Sequence, residues 1–201
     1  MKILTLMPAY KIMDIEAVKS LTALQSDIYN RGDNINIAYI SGFNTVLART
    51  ALINYAAKQE DVDYVLWLDS DHIYKASYVY ELISKIEKNN LEMLSAGYLT
   101  RGPRNLFAHG SFIDNGNFKQ HKKGTVSGLI DCDIIGFGFL VMKQDFVKRM
   151  VNKYGKDLFK MDYSNNTTED IYFCRKMKEE GIRICYDADI IVGHLMTVVN
   201  E

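Results

Sequence analysis

The chain has 201 residues, of which 48% are hydrophobic, 24% are charged and only 2 are proline, and its formal net charge is -1. That balance suits a soluble globular domain with a substantial core, excludes a disordered or fibrous chain, and gives no electrostatic basis for binding nucleic acid. Three cysteines without metal-finger spacing (Cys132, Cys174, Cys185) fit a reduced, cytoplasmic setting, and no apolar stretch is long enough to enter a bilayer.

The N-terminal "KILTLM" reads as a buried strand stopped by Pro8. Asp14 then N-caps a helix whose apolar positions Ile15, Val18, Leu21, Leu24 and Ile28 recur at helical spacing. "INIAYI" is the second strand, and "TVLARTALINYAAKQ" is a largely apolar helix carrying Arg49 near its start. "DYVLWL", the helix "ASYVYELISKIEKNN" and "LEMLSAGYL" complete a strand–helix alternation, the pattern of a parallel sheet. Beyond residue 100 the pattern becomes mixed. Asn115-Gly116 sits between two alternating stretches as a hairpin signal, and Gly136 and Gly138 interrupt an apolar run, where glycine marks a bend or a close approach. Two helices follow, the second ended by Gly181, and a last strand runs to His194. The reading is a single domain over 1–201, with an α/β half over 1–100 and a mixed half over 101–201. The end soon after a strand also suits the N-terminal domain of a longer protein.

The stretch "VLWLDSDHIY" concentrates the chemistry. A buried strand ends on Asp69 and Asp71 with His72 behind, and period-two alternation points both carboxylates the same way. Two like charges so close call for a cation, a proton or a helix terminus. In open α/β sheets ligands bind beyond the carboxyl ends of the strands, where these acids fall. Carboxylates with an imidazole suit Mn²⁺ or Mg²⁺, and such an ion bridges protein oxygens to phosphates. No phosphate-binding loop of Walker type and no G-x-G-x-x-G is present.

"ARTALINYA" followed by "LDSDH" resembles the core of GT-A glycosyltransferases, with their D-x-D motif at the end of a central strand. "IIGFGFLVMKQDF" is similar to their glycine-containing segment near donor sugar and acceptor, "TTEDIYFCRKMKEEGIRI" to the E-D motif of inverting members, and "VGHL" to a late metal-binding histidine. The resemblance runs from Pro8 to His194 in the family's order. It implies an open, twisted, mixed sheet flanked by helices with a small antiparallel hairpin, divided into nucleotide-binding and acceptor-binding halves. It also implies metal-dependent transfer, with inversion, from a nucleotide-sugar donor (a UDP-sugar) to a hydroxyl of a carbohydrate or glycan acceptor. On that resemblance Pro8, Ala9, Tyr10, Arg49, Asp69, Ser70 and Gly136 line the nucleotide-sugar site. Asp69, Asp71 and His194 hold Mn²⁺ or Mg²⁺, Asp170 is the general base, and Glu169 and Phe137 meet the acceptor.

Plainer readings stand beside these. Glu169 and Asp170 are also the acids that a helix N-terminus attracts. His194 also reads as a hydrogen-bonded core histidine, His72 as a loop residue, and His109 and His121 as surface groups of the hairpin. Asp131 and Asp133 read as strand-end polarity, and Arg101 and Arg104 as a solvated turn. A glycoside hydrolase would also use two carboxylates, but has no use for a nucleotide or a divalent ion. A nucleotidyltransferase acting on sugar phosphates and a non-catalytic nucleotide- or carbohydrate-binding module remain as alternatives.

Overall fold

The structure, a computed structural model, describes residues 1–9, 13–100, 105–113, 118–162 and 167–195. The first half runs β1 (Lys2–Ala9), α1 (Ile15–Asn30), β2 (Asn34–Ser41), α2 (Thr45–Ala57), β3 (Tyr64–Leu68), β4 (His72–Ile73), α3 (Ala76–Lys88) and β5 (Met93–Tyr98). The second half runs β6 (Leu106–Phe112), β7 (Phe118–Lys122), β8 (Leu129–Asp131), β9 (Phe139–Lys143), α4 (Gln144–Tyr154), α5 (Glu169–Glu179) and β10 (Cys185–His194). Among the described residues one mixed sheet has the order β2-β1-β3-β9-β5-β10-β4, with β8 also paired to β10, while β6 and β7 form a separate antiparallel pair. β1, β2, β3, β5 and β10 share one direction, and β9, β8 and β4 run against them.

Strand alternation divides the core in two. Val65 and Trp67 of β3 pack with Leu4, Leu6, Leu140 and Met142 under α2, α4 and α5. Leu66 and Leu68 point to the opposite face with Ile3, Met7, Phe139 and Val141, under α1 and α3. Both faces of the central strands are therefore covered, which explains why "VLWL" is continuously apolar rather than alternating. At the centre of the first core Trp67 meets Phe137 and Phe159 edge-on, at centroid distances of 5.4 and 6.2 Å.

Local signals explain several boundaries. The Asp14 side chain accepts from the Glu16 amide and starts α1, and Asn44 accepts from the Leu47 amide to start α2. Gly181, at φ +69°, follows α5 in the left-handed region that glycine tolerates. The buried stripe of α1 differs from the expected one. Ala17, Ser20, Leu24 and Ile28 face the sheet, whereas Ile15 is 64% exposed and Val18 also faces outward. On α2, Leu47 and Ala51 are exposed while Arg49 is turned inward. The hairpin forms as β6 and β7, although its Asn115-Gly116 turn, like the Arg101–Arg104 turn, lies outside the described residues.

His109 is not a surface group of this hairpin. It is 0% exposed, its Nε2 donates to the Ala96 carbonyl at 2.9 Å, and its Nδ1 accepts from the Gly136 amide at 3.2 Å. Burial pushes its pKa down from 6.5 to about 3. The folded state therefore binds fewer protons than the unfolded state between those values. Its contribution is complete above pH 6.5 and is lost as pH falls toward 3. The expected loss is about 1.4 kcal/mol per pH unit in that window. Urea unfolding at a series of pH values should show a flatter slope for His109→Gln than for the parent, and equal slopes would contradict the assignment.

Candidate active site

Five features reach the same edge of the sheet. β1 ends on Pro8 and Ala9, β3 runs into Asp69, β5 ends on Tyr98, and α2 and α5 begin there. Between them lies a cleft of about 400 Å³ whose lining includes Arg49, Asp69, Asp71, Tyr98, Glu169 and Asp170. Pro8, Ala9, Ser70 and Phe137 also line it.

The strand stops at Leu68, so Asp69 and Asp71 lie beyond it and do not share a strand face. Each carboxylate has its own nitrogen-bearing neighbours, a guanidinium at Asp69 and imidazoles at Asp71. Arg49, 5% exposed, reaches Glu169 Oε1 through Nε at 3.1 Å and Asp69 Oδ1 through Nη2 at 3.4 Å. Its guanidinium lies 4.7 Å from the centroid of the Phe137 ring and 5.6 Å from that of Trp67. Burial alone would lower the Arg49 pKa, but Asp69, Glu169 and Asp170 raise it above its ordinary value. Burial likewise raises the Glu169 carboxyl, against the pull of Arg49. Arg49 Nη1 is buried without a hydrogen-bond partner.

Asp71 faces two imidazoles. β4 pairs antiparallel with the end of β10 so that His72 lies opposite His194, and their rings stack at 4.5 Å with planes 9° apart. His194 Nδ1 lies 2.8 Å from the Leu99 carbonyl and Nε2 lies 3.2 Å from Asp71 Oδ2. A carbonyl only accepts, so Nδ1 carries the proton. In the neutral ring Nε2 then turns a lone pair toward the carboxylate, an arrangement that a cation resolves. His72 is buried, with Nδ1 at 3.1 Å from Asp71 Oδ1 but out of line for a hydrogen bond, and neither of its ring nitrogens has such a partner. Burial by itself would raise the Asp71 carboxyl, yet the His194 and His72 rings, when protonated, hold it well below the usual carboxylate range. The donor atoms of Asp71, His72 and His194 lie within 4.8 Å of one another, a set that fits a divalent ion. Asp69 is not in this group; Arg49 holds it instead.

Asp170 begins α5 next to Glu169, and its Oδ1 accepts from the Ile171 amide at 2.8 Å and from the Thr168 hydroxyl. Gly136 does not line the cleft. A Cβ there would fall 1.8 Å from the Tyr98 hydroxyl, so the close approach belongs to Tyr98. Phe137 is almost wholly buried and serves mainly as the floor beneath Arg49. Tyr10 lies outside the described residues. His72 is not a loop residue, and neither His72 nor Tyr98 stood out as a site residue. Tyr98 could have been found by treating the end of "LSAGYL" as a strand tip like that of β3. Asp131 and Asp133 are engaged by Arg183 and Lys178, away from the cleft.

The mixed sheet, the helix-flanked faces and the cleft at the carboxyl edge are those of the GT-A glycosyltransferase fold. The profile of Glycosyl transferase family 2 matches residues 20–156, more than half of the chain, and the chain belongs to that family. The match ends before α5, so Glu169, Asp170 and His194 lie beyond it. Solved structures share the fold at low identity. Protein A197 from STIV has a TM-score of 0.64 at 13% identity, over 100% of this chain and 97% of its own. GalNAc-T7, solved with UDP, GalNAc and Mn²⁺, has a TM-score of 0.68 at 10% identity, over 98% of this chain and 43% of that one. TarS 1-349 of S. aureus, in complex with UDP-GlcNAc, has a TM-score of 0.59 at 13% identity, over 100% of this chain and 60% of that one. The chain thus spans less than two thirds of these last two proteins. No curated protein matches it in sequence. No helix among the described residues is long and apolar enough to cross a membrane.

Arg49 and Glu169 form a buried pair, with side chains 6% and 9% exposed. Arg49→Met should therefore strand the carboxylate and cost about 3–5 kcal/mol at neutral pH. The variant leaves Glu169 with a folded pKa above its unfolded one, so the penalty shrinks as pH falls and the carboxyl takes up a proton. Unfolding at pH 7 and pH 5 measures both, and a loss independent of pH would contradict the pairing.

Proposed function

We propose that the cleft binds a UDP-sugar together with Mn²⁺ or Mg²⁺ and transfers the sugar, with inversion, to a hydroxyl of a carbohydrate acceptor. The observation that carries this reading is the opposition of two carboxylate sets in one cleft: Asp69 and Asp71 at the tip of β3, Glu169 and Asp170 at the start of α5. The solved complexes of GalNAc-T7 with UDP, GalNAc and Mn²⁺ and of TarS with UDP-GlcNAc support it by likeness of fold.

Asp71 and His194 hold the ion, with His72 beside them. When bound, it offsets the charge that develops on the departing diphosphate. Pro8, Ala9 and Ser70 line the nucleotide side. Arg49 keeps Asp69 and Glu169 in place, so that Asp69 can meet the ribose or the sugar. Asp170 takes the proton of the acceptor hydroxyl as its oxygen attacks the anomeric carbon. Thr168 and the Ile171 amide fix one oxygen of that carboxylate. A single displacement of this kind inverts the anomeric configuration.

Asp71→Ala should abolish Mn²⁺-dependent release of UDP from the donor, and full activity of that variant in chelated buffer would overturn the metal assignment. Release of pyrophosphate instead of UDP would identify a nucleotidyltransferase. Asp170→Asn should lower transfer by about 10²- to 10⁴-fold while calorimetric donor binding stays unchanged. NMR of the product supplies the independent check, because a retained configuration removes Asp170 from the base role.

A further inference from the structure

Gly136 and Gly138 flank Phe137 in an otherwise apolar run, and neither has a positive φ that would require glycine. What requires glycine is the space in front of them. A Cβ on Gly136 would lie 1.8 Å from the Tyr98 hydroxyl, and one on Gly138 would lie 2.8 Å from His72 Cε1 and 3.0 Å from Tyr98 Cζ. Two aromatic rings thus rest directly on bare backbone. The Tyr98 hydroxyl accepts from the Gly138 amide at 3.2 Å, and the Gly138 carbonyl accepts from the Asp69 amide at 3.1 Å.

From this seat the Tyr98 ring meets His72 edge-on at 4.7 Å and 83°, and His194 at 6.1 Å and 88°. On its other side it meets His109, fixed between the Ala96 carbonyl and the Gly136 amide, at 5.1 Å. His72 has no hydrogen bond of its own to set its ring plane. Its orientation is therefore left to packing, with Tyr98 on its edge and His194 on its face. The Leu99 carbonyl that orients His194 belongs to the residue after Tyr98.

We infer that Tyr98 is a positioning residue, seated on Gly136 and Gly138, that holds the stacked His72 and His194 rings in the register at which both face Asp71. This rests on the metal-binding reading of that cluster and goes beyond it by assigning the element that preorganises it. Partners that orient metal-binding groups commonly change affinity by 10- to 100-fold when removed.

The test is Mn²⁺ binding to the whole, chelator-treated chain by calorimetry, alongside the melting temperature without metal. Tyr98→Leu removes the ring edge and should weaken Mn²⁺ binding at least about 10-fold, whereas Tyr98→Phe keeps the ring and should recover most of that loss. Gly136→Ala, whose Cβ meets the phenol and neither His72 nor His194, should reproduce the loss. Mn²⁺ affinity within twofold of the parent in both Tyr98→Leu and Gly136→Ala would overturn the inference, whatever happens to melting. If Tyr98→Leu does not fold, Gly136→Ala decides on the same criterion. Asp71→Ala separates the two levels. Parent-like Mn²⁺ binding by Asp71→Ala removes the metal reading and this inference with it. Lost binding there, with binding kept in both Tyr98→Leu and Gly136→Ala, removes this inference alone.

Discussion

A guanidinium buried between two carboxylates sets the arrangement of this site. Arg49 comes from α2, Asp69 from the tip of the next strand, β3, and Glu169 from the first turn of α5, so one side chain ties the first half of the chain to a helix 120 residues on. Removing such a group from water costs several kcal/mol per ion, and only close pairing offsets that cost. The aromatic floor of Trp67 and Phe137 adds a favourable surface for the flat cation. Asp69 and Glu169 are thus engaged by Arg49, while Asp71 faces the His72 and His194 rings and Asp170 accepts from the Thr168 hydroxyl and the Ile171 amide.

Much of the fold was legible because both core faces left clear marks. The apolar run of "YVLWL" and the caps at Asp14 and Gly181 could be read from short stretches of sequence. The face of α1 was misjudged. Ile15 and Val18 repeat at helical spacing, but the sheet takes the adjacent stripe with the small residues Ala17 and Ser20, which allow closer approach. Periodicity states that a helix has a face and does not state which neighbouring face wins.

The site was legible in its residue types and less so in its pairings. Asp71 and His194 were expected together, and they lie 3.2 Å apart. The alternation rule failed for Asp69 and Asp71 because β3 ends at Leu68, before either residue. His72 and His109 were assigned to loops and surfaces, since a lone histidine carries no local sign of burial. Only the β4–β10 pairing and the contacts through Ala96 and Gly136 give them their roles, and these are long-range facts.

The pairing of His72 with His194 also carries a consequence in time. Residues 72 and 194 meet through β10, near the C-terminal end of the described chain, and β4 joins the sheet by pairing with β10. On a ribosome, the nascent chain exposes Asp71 and His72 long before their partner has left the exit tunnel. An ion held by all three donors would therefore not template early folding; it would stabilise the chain only once β10 is in place. Contacts of such sequence separation also close slowly, because their loop entropy is paid before they form. The order of assembly therefore makes the competent site a report that the C-terminal strand has docked.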